Sequence, residues 1–244
     1  MNDYRKDIYK KYANDFKGAK NFIDTKEIDD YWPTFNYLFR GWLPQDKDSS
    51  IVDLGCGNGT ILRMLKHKAG YQNVIGVDMS ESQVEQARQH LENIELDNAI
   101  DYLKQSENKF DLIFAIDIIE HLNKQEVLDF ISLCYKNLRK GGRLILQTPN
   151  ATSPFQGDIR YGDFTHELAF TPNLLSQLLK RSGFNDIETR ESGPIPFGYS
   201  IKSSIRYVLW KIICLIYKFI TIIEVGSSQN SIFSRVFVQS AIKK

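Results

Sequence analysis

The chain is poor in the residues that build disulfide frameworks and metal clusters. Among its 244 residues are three cysteines, Cys56, Cys134 and Cys214, and no two stand in a CxxC spacing. That excludes a disulfide scaffold and a cysteine-ligated zinc site, and it fits a reducing compartment. The four histidines also lack metal-ligand spacing, so no metal is expected. An excess of either charge is missing too: 31 Lys and Arg face 30 Asp and Glu, a formal net charge of +1. No broad field draws the protein to nucleic acid, and no nucleic-acid partner is expected. The opening MNDYRKDIYKKYANDF has no apolar centre of the kind a signal peptide needs, and a cytoplasmic location is expected. Internal repeats and low-complexity segments are absent. The longest apolar stretch, Val208 to Ile223, falls short of the ~20 residues of a comfortable membrane span and is interrupted by Lys211 and Lys218.

What is present is a hydrophobic fraction of 42% with 25% charged residues, enough for one domain with an appendage. Tyr4, Ile8, Tyr12 and Phe16 step by four along a first amphipathic helix over residues 3 to 16. A second aromatic helix is expected from Asp30 to Trp42, around Pro33. Apolar strands then alternate with helices. IVDL, NVIGVD, FDLIFAID and RLILQTPN read as strands, and NDIETRES and SRVFVQSAIKK as the last two. Between them, GTILRMLKHKAG reads as a helix stopped by Gly70. SESQVEQARQHLENI reads as a helix capped by Ser80 with Gln83 in a capping box. NKQEVLDFISLCYKNLRKGG reads as a helix closed by two glycines, and TPNLLSQLLKRSGF as another helix. The alternation predicts an α/β fold, a Rossmann-like, mostly parallel seven-stranded sheet with helices on both faces. The parts expected are an N-terminal helical cover (1–45), a ligand-binding core (46–192), a helical insertion (193–231) and a last strand (232–244).

The stretch IVDLGCGNGT puts three glycines just after the first strand, where an open parallel sheet binds its ligands. Glycine lets a ligand approach bare backbone. A dinucleotide fingerprint would need a third glycine at position 60, but Thr60 stands there; the spacing is GxGxG, preceded by Asp53. A pyrophosphate would be repelled by Asp53, whereas a ligand with an ammonium and a sulfonium would be attracted. Asp78 ends the second strand, where a carboxylate takes up two ribose hydroxyls. An adenosine-bearing cation satisfies all three features.

VDLGCGNG, VIGVDMS, FDLIFAIDIIEHL and LRKGGRLILQTPN together resemble the motifs of the class I S-adenosylmethionine-dependent methyltransferases, in order and interval, over about residues 45 to 190. The resemblance implies S-adenosyl-L-methionine as cofactor. It assigns Gly55 and Gly57, with Cys56 between them, to the methionine portion, and Asp53 to its amine. It assigns Asp78 to the ribose, Met79 to the adenine face, and Asn98 with the adjoining Ala99 to the adenine edge, Asp97 standing beside them. Asp117 and Ile118 would lie beside the transferred methyl. The segment GDFTHELAFT further resembles methyltransferases encoded with bacterial surface-polysaccharide biosynthesis enzymes. The central motifs are similar to those of quinone-biosynthesis O-methyltransferases as well.

Transfer to a hydroxyl needs a base. His121, after the fourth strand, and His166, in the polar loop after the fifth, are the candidate catalytic residues. Tyr12, Tyr31 and Trp32 are read as packing. The leading expectation is O-methylation of a sugar in a glycan or lipid-linked glycan precursor. A quinone-like phenol is the alternative acceptor, and a cofactor-binding regulator without catalysis the alternative of another class. For the apolar tail, residues 200–224, two readings stand. One is a helix packed over the acceptor pocket with its lysines in water. The other is an interfacial helix that makes a peripheral contact with the inner face of the membrane.

Overall fold

The computed structural model of the chain describes Ile8 and residues 25–196, 199–227 and 232–244. The expected helix over residues 3–16, with Tyr12, otherwise lies outside the described residues. The described elements are α1 (Thr25–Leu38), β1 (Ile51–Leu54), α2 (Thr60–Arg63, continued by a π-turn over Met64–Lys68), β2 (Val74–Asp78), α3 (Glu81–Arg88), β3 (Ile94–Leu96), α4 (Ala99–Gln105) and β4 (Phe110–Ile116). A 3₁₀ turn (Ile119–His121) leads into α5 (Lys124–Asn137) and β5 (Leu138–Pro149). Then follow α6 (Gly157–Arg160), α7 (Pro172–Arg181), β6 (Phe184–Glu191), α8 (Ile201–Val225) and β7 (Val236–Lys243).

The strands form one seven-stranded sheet in the order β3-β2-β1-β4-β5-β7-β6. β1 to β5 are parallel neighbours, and β7 runs antiparallel to both β5 and β6. This is the mostly parallel, Rossmann-like architecture expected, with the helical insertion before the last strand. Period-two alternation assigns the central strands to two cores. Val52, Leu54, Ile113 and Ala115 face a core with Ile100, Leu103, Phe130, Ile131, Leu175 and Leu179. Ile51, Leu112 and Phe114 face the other, with Phe35, Phe39, Trp42, Leu62, Leu65 and Val84. The aromatic helix α1 belongs to this second core: Phe39 meets Phe114 edge to face at 5.3 Å between centroids. The chain winds outward from β1 through β2 to β3, then returns to β4 and β5 on the other side. The strand order therefore reverses between β1 and β4, and a crevice opens there at their carboxyl ends.

Several local expectations are corrected. Ser80 occupies the N-cap of α3 but makes no side-chain cap bond; its hydroxyl lies 3.2 Å from that of Ser82. The capping box forms at α5 instead, between Asn123 and Glu126. Gly141 and Gly142 do not close α5, which ends at Asn137. They lie inside β5, where its register against β4 shifts. α1 begins five residues earlier than Asp30 and ends at Leu38. α8 docks by one face, and none of its residues lines the cavity described below.

Candidate active site

A cavity of about 430 Å³ occupies the crevice. The turn after β1 supplies Gly55 and Gly57, both at positive φ (70° and 54°). A Cβ on Gly55 would stand 2.6 Å from the Ile118 side chain, so both the backbone twist and the close approach require glycine. Asp78, at the end of β2, binds this turn. Its Oδ2 accepts from the Gly57 amide and its Oδ1 from the Ser80 amide, each at 2.8 Å. The carboxylate is therefore fixed before any ligand arrives, and it lines the cavity with Met79 and Ser80.

Beneath the turn, Asp53 is 1% exposed, does not line the cavity, and has an Oδ1 without a partner. Burial first, and then the Asp78 charge, hold its carboxyl well above the usual range. Cys56 also turns inward. It packs in the second core, its thiol is directed at the Gly57 carbonyl, and it is absent from the cavity wall. After β3, Asp97, Asn98 and Ala99 line the cavity as a group. The Asn98 oxygen caps α4, accepting from the Ile100 and Asp101 amides at 2.9 and 3.4 Å. Asp97, whose Oδ1 accepts from the Asn98 amide, presents a carboxylate to the cavity at the same place.

After β4, Asp117 adopts φ 55°, a left-handed conformation rare outside glycine. Gln147 Nε2 lies 3.2 Å from both of its carboxylate oxygens. Asp117, Ile118 and His121 line the cavity; His166 does not, but its ring centroid is 4.7 Å from that of His121. The loop carrying His166 is held against the 3₁₀ turn, since the Glu167 and Leu168 amides donate to the Glu120 carbonyl. Arg160 donates from the same loop to the carbonyls of His166 and Glu167.

Thr165 sets the state of His121. Its hydroxyl lies 2.6 Å from Oδ1 of Asp163, which also accepts from the Thr165 amide. An ionised carboxylate only accepts, so the hydroxyl proton points to Asp163. At 2.9 Å from the same hydroxyl oxygen, His121 Nδ1 must then be the donor. In a neutral imidazole this leaves the lone pair on Nε2.

Glu120 lies under this loop, 1% exposed, with Oε2 accepting from Thr148 and Oε1 unpartnered. Burial, and next the Asp117 charge, raise its carboxyl well above the ordinary range. Glu120, His121 and His166 each offer a ligand atom within 4.8 Å of the others, and His166 Nδ1 is buried without a partner. Two imidazoles and a carboxylate could hold a divalent ion, which the linear spacing of these residues did not suggest. Sequence reasoning also passed over Gln83, Lys104 and Glu126, which line the cavity from the helices that follow its strands. Gln83 and Glu126 stand just inside helix starts at the sheet's carboxyl edge, which was the available signal for them, whereas Lys104 reaches the cavity from the last turn of α4.

Residues 51–142 match the family model described as a methyltransferase domain. The chain is similar to the mitochondrial ubiquinone biosynthesis O-methyltransferase of Rattus norvegicus, 28% identical over 159 residues, covering 57% of this chain and 45% of that protein. It is 33% identical over 110 residues to the ubiquinone biosynthesis O-methyltransferase of Coxiella burnetii, covering 43% of this chain and 45% of that one. The matches thus span less than half the length of these curated relatives. In fold it is similar to a SAM-dependent methyltransferase from Archaeoglobus fulgidus, with a TM-score of 0.64 and 20% identity over 95% of this chain and 98% of that one.

Proposed function

We propose that this chain, built on a class I S-adenosylmethionine-dependent methyltransferase core, transfers the donor's methyl group to the hydroxyl of a quinone-like phenol. One observation carries the reading. A single cavity joins the Gly55–Asp78 turn to His121, whose Nδ1 lies 2.9 Å from the Thr165 hydroxyl. Likeness to proteins named for ubiquinone biosynthesis supports a phenol over the sugar hydroxyl that the motifs of the 148–172 segment suggested. Chemistry supports the same choice: a phenol, with a pKa of about 10, yields its proton to an imidazole far more readily than an alcohol does.

In this reading Asp78 takes the ribose hydroxyls and Asp97 the adenine amino group. The methionine portion lies along Gly55 and Gly57. Asp117, Ile118 and His121 would then stand beside the transferred methyl. The acceptor oxygen attacks in line: the C–O bond forms as the C–S bond breaks, its electron pair stays on sulfur, and the sulfonium charge is neutralised. The hydroxyl proton passes to Nε2 of His121. Holding oxygen, carbon and sulfur near a line supplies several kcal/mol of the barrier reduction.

The test is to supply labelled methyl donor with a short-chain prenylated catechol in one arm and cell-envelope glycan extract in the other. Label in the catechol product, abolished by His121→Ala, is expected. Label confined to the glycan arm would replace the phenol reading with the sugar one, and label in neither would remove both.

A further inference from the structure

α8 leaves most of its surface to solvent although that surface is apolar. At about 1.5 Å per residue, its 25 residues form a rod roughly 37 Å long. Ser203, Tyr207, Trp210, Cys214, Tyr217 and Thr221, spaced by three and four, form the docked face. Ser203 donates to the Ile195 carbonyl, Trp210 donates to Glu191, and Tyr217 packs on Phe155 and Phe233, each at 5.7 Å between centroids. The opposite face carries Ile205, Leu209, Ile212, Ile216, Phe219 and Ile223, all exposed; Phe219 is 64% and Ile223 69% exposed. At about 100° per residue, Arg206, Lys211, Lys218 and Glu224 fall on the docked side of the rod and Lys202 at its border, leaving an arc of about 180° without charge. No described helix is long and apolar enough to cross a membrane.

We propose that α8 lies along the surface of an anionic lipid bilayer, its uncharged arc entering the headgroup–acyl boundary. Charge selects this occupant over a second copy of the chain. The helix carries four basic residues, Lys202, Arg206, Lys211 and Lys218, against Glu224 alone, and Lys211 is paired with Glu191. Two such helices laid face to face would set like-charged borders against each other, whereas anionic headgroups complement them. The docked face of α8 also meets the loop on the acceptor side of the candidate site. Tyr217 packs on Phe155, which opens the loop that carries Tyr161 (81% exposed), Phe164 (72% exposed), Thr165 and His166. Resting on the functional reading above, this arrangement holds the acceptor end of the cavity beside the lipid from which an apolar phenol would come.

The test uses the full chain and vesicle co-flotation, with no catalysis involved. Vesicles of phosphatidylcholine with 30 mol% phosphatidylglycerol (~30% anionic, within the range in which basic residues contribute) are compared with phosphatidylcholine alone. Binding is expected to favour the anionic vesicles and to weaken as salt is added. Replacing Lys202, Arg206 and Lys218 by Gln should weaken it about fivefold per residue. Ile212→Asp with Ile216→Asp should abolish it, while thermal stability and donor affinity stay unchanged. Absence of flotation overturns the proposal. So does a concentration-dependent dimer in light scattering that the Asp variant dissociates. Loss of methyl transfer with flotation intact would count against the acceptor assignment alone.

Discussion

His121 Nδ1 donates to Oγ1 of Thr165 across 2.9 Å, and the direction of that bond follows from the Asp163 carboxylate behind the threonine. Side chains that never touch the acceptor thereby decide which imidazole nitrogen is basic. Thr165→Val should lower kcat about tenfold and leave donor affinity unchanged, because the imidazole loses its fixed tautomer. Thr165→Ser should restore activity. A merely structural threonine would give equal kcat in the two variants, which steady-state kinetics would reveal.

Asp78 holds the β1 turn through Gly57 while it presents a carboxylate to the cavity. Asp78→Ala should weaken donor binding about tenfold to a hundredfold, the loss of one or more charge-assisted hydrogen bonds. Isothermal titration would measure it, and an unchanged dissociation constant would refute the ribose assignment.

Gly55→Ala is expected to strain the backbone at φ 70° and to press on Ile118. The cost should be about 1–3 kcal/mol, a fall in Tm of several degrees for a chain of this size. Pairing it with Ile118→Ala should recover part of the loss, since room is restored but φ is not. Full recovery would mean that crowding, not conformation, requires the glycine.

Asp53 and Glu120 both have folded-state pKa values raised by burial above their ordinary values of 3.8 and 4.5. The folded chain therefore keeps protons that the unfolded chain releases. This contribution to stability is complete below those ordinary values and is lost as pH rises through the raised ones. Asp53→Asn should flatten part of that slope in thermal melts. In the proposed reading, in which the donor's ammonium lies over the β1 turn above Asp53, the donor should stabilise the wild-type chain more as pH rises through the same window. Equal slopes for the two proteins would remove Asp53 from the account.

Much of the fold was legible because buried parallel strands are short apolar runs and their period-two faces match two cores. The glycine turn and Asp78 were legible because chemistry there is local: a bare backbone and a carboxylate follow consecutive strands. Asn98 lines the cavity as expected, but its second task, capping α4 through its side-chain oxygen, shows only once the helix start is fixed in three dimensions. Gly141 marks a strand irregularity where local reading saw a helix stop. The meeting of His121, Thr165 and His166 joins two loops distant in the chain, so no local pattern could report it. Glu120 was passed over because its burial is created by the loop folded over it.

The sheet is closed out of chain order. Among the described strands β6 has no neighbour except β7, whose other edge lies on β5. When β6 leaves the ribosome, its backbone amides and carbonyls have no strand to meet until Val236–Lys243 follows, and the oily helix α8 emerges in the interval. For that time an unpaired edge and an apolar rod are exposed together, a combination that invites aggregation. Expression of this protein should therefore respond to chaperones, or to lipid supplied during translation, more strongly than its parallel core alone would require.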